Sequence, residues 1–505
     1  MNIALISVYH KKGIETVAQK LKEKGWEIIS TGGTAEYLKK HHVDVVEISD
    51  LTQFPEILDG RVKTLHPLVF APILAKKIDH HLQQLKQLDT SKIDLVMVNF
   101  YPFEDALKEK HKGIDYMVEN IDIGGPSMVR AAAKNFMATI VVVDQEDYLP
   151  VVEQLIRDDD ITAGHRKALA QKAFAYCSFY DSLIARYLDD SEFFPPYFTL
   201  GGRNKLKLRY GENPHQNASL YIRDKNSPMG NFIKIQGKEL SFNNILDLSM
   251  VYEVLNYFQE EENFCTIVKH QNPCGAAQDP QQKHAFNKAF SGDSKSAFGG
   301  IVGFNNTLDK DTAKEMSKIF FEVIIAPDFS EEALAIFKKK KNLRVIKISP
   351  GYTELLDMKT IPGGFLLQKK DIDLRDSKHF ELKTSRKLKK GEKSDVAFGW
   401  KLIKFVKSNG IILVKDRMLI GVGAGQMSRV DAVDLAIRKS QFPCEGAVLL
   451  SDAFFPFADS IEIAAREKIR VVVEPGGSVR DSDVIEAAEK NSISLLFTGM
   501  RHFRH

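Results

Sequence analysis

Residues 3–34 read IALISVYHKKGIETVAQKLKEKGWEIISTGGT. Ile3–Val8 is a short, nearly unbroken apolar run, as in a strand buried on both faces. Gly13–Lys24 carries its apolar residues at helical spacing and reads as an amphipathic helix. Glu27–Ser30 is a second strand, and it ends in Thr31-Gly32-Gly33-Thr34 before another helix. Leu95–Phe100 and Thr139–Val143 are further apolar strands. Strands separated by helices predict a parallel α/β sheet covered on both faces over residues 1 to about 190. In such sheets a ligand sits where strands end and helices begin.

Beyond that segment, Phe-Phe-Pro-Pro-Tyr-Phe and Gly201-Gly202 within Ser191–Arg203 interrupt the pattern as a linker would. A first domain is expected at 1–195. The 505-residue length leaves too much chain for one small domain after it. Two subdomains are expected, 196–370 and 371–505. The charged stretch Lys369–Lys393 reads as an exposed, solvated connection. Formal net charge is +3, with 70 basic residues against 67 acidic ones, which argues against a nucleic-acid or membrane partner. The four cysteines, Cys177, Cys265, Cys274 and Cys444, are too scattered for a disulfide framework. No signal peptide or membrane span is legible, so a cytoplasmic protein is expected.

Three motifs in the first domain carry chemistry. The glycines of Thr31-Gly32-Gly33-Thr34 let backbone approach an anion at a helix start, although a tight turn needs the same residues. Arg61-Val62-Lys63-Thr64-Leu65-His66-Pro67 packs two cations, a hydroxyl and an imidazole together, a donor set suited to phosphate or carboxamide. Asp122-Ile123-Gly124-Gly125-Pro126 leads into Ser127–Lys134, with Pro126 expected at the first helical position. Arg130 and Lys134 share a helix face at i, i+4. Lys134 lies about 12 Å along that helix, too far to hold the group bound at its start. Lys134 could act on the far end of a nucleotide-sized ligand, although a solvated basic face is the commoner explanation of such pairs.

In the remainder, Thr266–Lys269 is an apolar strand running into His270 and an expected Pro273-Cys274-Gly275 turn. An imidazole accepts protons near neutral pH, and a neighbouring ammonium stabilises developing negative charge. For a lone Lys-His pair a surface strand end is the favoured explanation. Zinc deaminases use His-x-Glu with Pro-Cys-x-x-Cys. Here Ala277 stands where the second cysteine would fall and His270-Gln271-Asn272 lacks the glutamate, so no metal site is expected. The Gly421–Gly425 run is a weak sign of a loop that approaches a ligand.

Taken in order, these motifs resemble one family. Ile6-Ser7-Val8, Ser30–Thr34, Arg61–Pro67, Asn99–Phe103 and Asp122–Lys134 resemble the cyclohydrolase domain of the bifunctional purine-synthesis enzymes (phosphoribosylaminoimidazolecarboxamide formyltransferase / IMP cyclohydrolase). Leu208–Gln216, Thr266–Gly275, Ser296–Gly300, Phe321–Pro327, Ser408-Asn409, Gly421–Arg429, Ser451–Phe457 and Arg501–His505 resemble its transformylase half. The resemblance spans nearly the whole chain. It implies a methylglyoxal-synthase-like parallel-sheet domain followed by two cytidine-deaminase-like α/β subdomains, and a homodimer. The implied reactions are formyl transfer from 10-formyltetrahydrofolate to AICAR, the aminoimidazole carboxamide ribonucleotide, giving FAICAR, and cyclising dehydration of FAICAR to IMP. They are the last two steps of de novo purine synthesis.

The resemblance also implies roles. Lys63, Thr64, Asn99, Tyr101, Asp122 and Lys134 would line the ring-closure site, with Lys63, Tyr101, Asp122 and Lys134 catalytic. Ser7, Lys11, Thr31, Gly32, Gly33 and Thr34 would hold the 5′-phosphate, with Arg61 and Gly124 also contacting the nucleotide. Where relatives commonly have Ser-Asp-Lys, this chain has Tyr9-His10-Lys11. In the transformylase, His270 would be the proton acceptor, Lys269 its electrostatic partner, and Asn409 would polarise the formyl donor. Arg209, Tyr210, Gly299, Glu322, Arg429, Phe454 and Arg501 would bind the ribonucleotide. Val430, Asp459, Ser478 and Val479 would meet the folate, although core packing is the commoner fate of adjacent aromatics such as Phe454 and Phe455.

Three other readings compete: a transformylase alone, a purine-nucleotide-binding protein without turnover, and a phosphate lyase suggested by the first domain's fold. The retained Lys134, Lys269 and His270 oppose the binding protein. Residues 200–505 are left unexplained by the lyase.

Overall fold

Five strands form the sheet of the first unit: β1 (Ile3–Ser7), β2 (Glu27–Ser30), β3 (Val46–Glu47), β4 (Leu95–Val98) and β5 (Ile140–Val142). They are parallel and run in the order β3-β2-β1-β4-β5. Ile3 and Leu5 pack on one face with Val96 and Val98, while Ala4 and Ile6 pack on the other with Leu95 and Met97. Each fully buried Leu or Ile contributes roughly 1.5–3 kcal/mol. Helix α1 (Ile14–Glu23) buries Ile14, Val17, Ala18 and Leu21 against the second face, and α2 (Gly32–Lys40) adds Ala35 and Leu38. The strand order reverses direction between β1 and β4, which opens a crevice at their carboxyl ends.

The structure is a computed structural model that describes residues 2–55, 57–58, 61–191 and 194–505. Phe193 of the expected linker lies outside the described residues. The chain divides into units Met1–Arg203 and Asn204–His505.

The second unit is built on one twelve-stranded sheet. Its central pairing, Ala277 with Met418, joins two halves of the same design. The first half has a hairpin, Phe264–Lys269 with Asn272–Gln278, then parallel strands Ile301–Phe304, Val323–Ala326 and Arg344–Lys347, and an antiparallel edge, Ile233–Gln236. The second repeats it: hairpin Ile411–Lys415 with Met418–Gly423, parallel strands Val448–Ser451, Val471–Glu474 and Ser494–Phe497, and edge Glu381–Leu382. The duplication lies in topology and was invisible in the sequence. One sheet and two cores run through both halves.

Three local expectations are corrected. Pro273-Cys274-Gly275 lies within the strand Asn272–Gln278, at a register shift; the turn is His270-Gln271. Pro126 is the third residue of the helix Gly124–Lys134, where its missing N–H still has no intrahelical role. Lys369–Lys393 is not simply solvated: Lys370 pairs with Glu253, and Arg386 binds Glu392 and the Ser494 hydroxyl.

Candidate active sites at two sheet ends

The first site lies in the crevice between β1 and β4. The backbone N–H groups of Tyr9 and His10 both donate to Asn99 Oδ1, at 2.5 and 3.2 Å, and Asn99 Nδ2 donates to the Tyr148 hydroxyl at 3.0 Å. Asn99 thus ties the two strand ends together. Ser7 and Thr31 share a hydroxyl hydrogen bond of 2.6 Å. The Lys11 ammonium is 3.9 Å from where a Cβ on Gly33 would stand, and the Lys63 ammonium occupies the space of a Cβ on Gly32. Two ammonium groups and two hydroxyls therefore meet the first turn of α2, whose amides lack intrahelical partners. That donor set suits a phosphate. Thr34 differs from its expected role, since its buried hydroxyl is taken up by the N–H and C=O of Val8. Gly32 sits at φ 32°, where a side chain is strained, so Gly32→Ala is expected to displace Lys63, lower Tm and weaken binding of a phosphate-bearing ligand about tenfold; ligand titration beside thermal unfolding checks this.

Beside this cradle, Asp122 Oδ1 accepts from Gly125 N at 2.8 Å, and Asp122 Oδ2 accepts from Tyr101 N at 3.4 Å. Burial raises the Asp122 carboxyl above the ordinary aspartate range, and the two amides oppose that rise. Thr64 Oγ1 lies 2.5 Å from where a Cβ on Gly124 would stand, and the Tyr101 ring is 5.3 Å from that of Tyr9. Lys63, Thr64, Asn99, Tyr101, Asp122 and Gly124 thus gather at one end of the sheet. Arg61 is exposed and pairs with Glu119, and His66 caps the helix Pro67–Leu74. Lys134 is not brought to this group. Ten residues of helix separate it from Gly124, about 15 Å. It is exposed at the opposite end of the sheet, where its neighbour Asn135 binds the carbonyls of Ile73 and Ala75. Arg130 on the same face lies over the Phe174 ring.

The second site is built on the first hairpin of the second unit. Lys269 Nζ donates to Phe298 O at 2.6 Å, next to Gly299. His270 is exposed at the hairpin tip. Glu322 holds buried Arg344 at 2.6 Å, Arg344 also donates to Glu239 O, and Arg209 N bonds Leu240 O. The Arg209 guanidinium lies over the Tyr210 ring. From the other half, Lys407 N donates to Asn272 Oδ1 at 3.0 Å, and Asn272 Nδ2 donates to His270 O at 3.2 Å. This brings Asn409 to the side of the histidine turn.

Asn409 is fully committed. Its Nδ2 donates to the carbonyls of Gln426 and Met427, and its Oδ1 accepts from Arg429 at 2.7 Å. Arg429 is buried, with its guanidinium on Asp452, Ser451 and Gly410 O. It therefore braces Asn409. Phe455 is core while Phe454 is exposed. Asp459, Val479 and Arg501 are exposed, with Val430 and Ser478 half-buried. In the glycine run, Gly421 and Gly423 press on the carbonyls of Ala436 and Ala432, leaving no room for a Cβ, while Gly425 is open and exposed. Burial pushes the Cys274 thiol up to about 12.

A family profile described as "AICARFT/IMPCHase bienzyme" matches residues 132–439, and one described as "MGS-like domain" matches 13–127. The "Bifunctional purine biosynthesis protein PurH" of Caldicellulosiruptor saccharolyticus is 46% identical over 512 residues, covering 99% of each chain. Its namesake from Clostridium kluyveri is 46% identical over 507 residues and covers 100% of each chain. The chain belongs to the AICARFT/IMPCHase bienzyme family. It is therefore a bifunctional enzyme of purine biosynthesis, an AICAR formyltransferase and an IMP cyclohydrolase, acting in the last two steps. The Aquifex aeolicus member is 44% identical over 510 residues, 99% of this chain and 100% of its own. A crystal structure of ForH matches 37% of this chain and 95% of its own at 34% identity, with a TM-score of 0.33.

Within this AICARFT/IMPCHase bienzyme, Asp247, Asn272 and Glu474 escaped the sequence reading. Asp247 and Asn272 bind backbone groups around the His270-Gln271 turn, and such partners leave no residue pattern to read. Among the described residues no helix is long and apolar enough to cross a membrane, and no group of three metal-ligating side chains occurs.

Proposed function

We propose that the two reactions are divided between the two units, each with its own proton-handling groups at the carboxyl ends of its strands. The observation that carries this reading is the separate gathering of Lys63, Tyr101 and Asp122 in the first unit and Lys269, His270 and Asn409 in the second.

For ring closure, FAICAR binds with its phosphate at Lys11, Lys63, Ser7, Thr31 and the start of α2. Its carboxamide nitrogen attacks the formyl carbon; one proton from that nitrogen and one from the formamide nitrogen pass to the formyl oxygen, which leaves as water as the carbon–nitrogen double bond of the new ring forms. Both reacting groups belong to one molecule, so orientation supplies much of the acceleration. Asp122, with its raised carboxyl, exchanges the proton, and Tyr101 and Lys63 stabilise the oxygen. Lys134 stands outside this group.

For formyl transfer, 10-formyltetrahydrofolate is the donor. The AICAR amine attacks its formyl carbon, the bond to N10 breaks, and His270 accepts the amine proton while N10 gains one. Lys269 offsets charge on the formyl oxygen, and Asn409 shapes the donor's seat. Arg209, Tyr210, Gly299, Glu322, Phe454 and Arg501 hold the ribonucleotide, and Val430, Asp459, Ser478 and Val479 face the folate. A homodimer in the cytoplasm completes the reading. The exposed Phe298, Phe320, Met427 and Val479 offer apolar surface for a second copy.

The test is separate assay of the two steps. Asp122→Asn is expected to slow FAICAR closure about 10²-fold and leave formyl transfer to AICAR unchanged. Loss of formyl transfer in the same folded protein would reject the division.

A further inference from the structure

The hairpin that carries His270 has a two-residue turn, and both turn residues are left-handed, His270 at φ 53° and Gln271 at φ 58°. Such a type I′ turn normally holds Asn-Gly or Gly-Gly, because side chains with a Cβ disfavour positive φ. Something outside the turn must hold it. The carboxylate of Asp247, on the helix Phe242–Asn256, does so: Oδ2 accepts from His270 N at 3.1 Å and Oδ1 from Gln271 N at 2.7 Å.

The second half of the sheet repeats the device. Asp416 at φ 51° and Arg417 at φ 54° form its hairpin turn. Asp395, on the helix Lys390–Ile403, accepts from their amides at 3.0 and 2.6 Å. Lys415 donates to Glu445 O at 2.8 Å, as Lys269 does to Phe298 O at 2.6 Å. Scaffold and clamp are thus duplicated, but the histidine occurs in one copy, with Asp416 in its place in the other.

We propose that Asp247 is a positioning residue for formyl transfer: its carboxylate locks both amides of the turn and so fixes where the His270 imidazole stands. This rests on the reading of His270 as proton acceptor. A half-buried carboxylate bonded to two amides is a rigid anchor, because each bond is charge-assisted and desolvated. Burial raises the Asp247 carboxyl, while the two amides and the charges of His270 and Lys407 hold it down. The imidazole itself is exposed at the hairpin tip, so the turn backbone sets where it starts. A small change in the turn therefore moves the proton acceptor away from the bound amine.

The duplication supplies a matched control. Full-length Asp247→Ala and Asp395→Ala are compared in formyl transfer, FAICAR closure and Tm, alongside His270→Ala. Asp247→Ala is expected to lower kcat of formyl transfer about 10²-fold, with the KM for AICAR changed less than about threefold and ring closure intact. Asp395→Ala is expected to lower Tm by a similar amount while formyl transfer stays within about twofold of wild type. Adding Gln271→Gly to Asp247→Ala relieves one left-handed side chain and is expected to recover part of the lost kcat. If the alanine variant is not folded, Asp247→Asn, which keeps one acceptor, is expected to show a smaller loss of the same kind. Wild-type kcat in a folded Asp247 variant, equal loss in Asp395→Ala, or no recovery with glycine would overturn the proposal. An active His270→Ala would remove the functional reading itself, whereas an inactive His270→Ala beside a fully active Asp247→Ala defeats the clamp alone.

Discussion

His270→Ala abolishes formyl transfer and spares ring closure: kcat for AICAR is expected to fall about 10²–10⁴-fold, the range that a positioned proton acceptor supplies. FAICAR given directly is still converted to IMP at the wild-type rate. The side chain is exposed at a hairpin tip whose fold is held by backbone bonds, so its removal leaves no cavity. Loss of rate without loss of Tm is therefore a chemical effect. Lys269 remains on Phe298 O and Asn409 remains braced by Arg429, so binding groups survive. Two parallel assays on one preparation decide the matter. Retained formyl transfer would take the proton acceptor away from His270, and equal loss of both rates would dismiss the division between units.

How far the sequence reached depends on what kind of force set each feature. Strands β1 and β2 were readable because burial on both faces demands unbroken apolar runs, and Glu27–Ser30 falls where those residues predicted. The crevice was readable for the same reason, since strand ends in a parallel sheet locate it. The histidine turn was not. A turn with positive φ normally advertises itself with Asn or Gly, and here Asp247, 23 residues earlier, does that work through the backbone. Pro273-Cys274-Gly275 carried the outward signs of a turn yet lies in a strand, where Gly275 makes room for the Ala289 carbonyl. Arg429 looked like a ligand cation because a buried partner such as Asp452 cannot be recognised along the chain. Lys134 was legible as part of a basic helix face. That the face points away from the crevice is a matter of where the helix ends.

Glu474→Gln stabilises the protein at pH 8 and changes it little at pH 5. Glu474 ends the strand Val471–Glu474 with no exposed surface. One carboxyl oxygen accepts from Phe455 N at 2.6 Å, and the other has no partner. Burial pushes this carboxyl up to about 8; Asp481 adds to the rise and Arg429 opposes it. An unfolded glutamate ionises near about 4.3. Below that pH both states hold the proton, and the group's contribution to stability is fully present. As pH rises from there toward 8, the unfolded chain releases the proton and the folded chain keeps it. Stability therefore falls across that window, by at most about 1.4 kcal/mol per pH unit, and levels off above it. Glutamine retains an acceptor for Phe455 N and never ionises, so the variant escapes the fall. The excess stability of Glu474→Gln is expected to grow to about 3 kcal/mol or more by pH 8, read from denaturant unfolding at pH 5, 6, 7 and 8. A difference that is flat across this range would mean that the folded protein carries an ionised Glu474 and that another group supplies its proton partner.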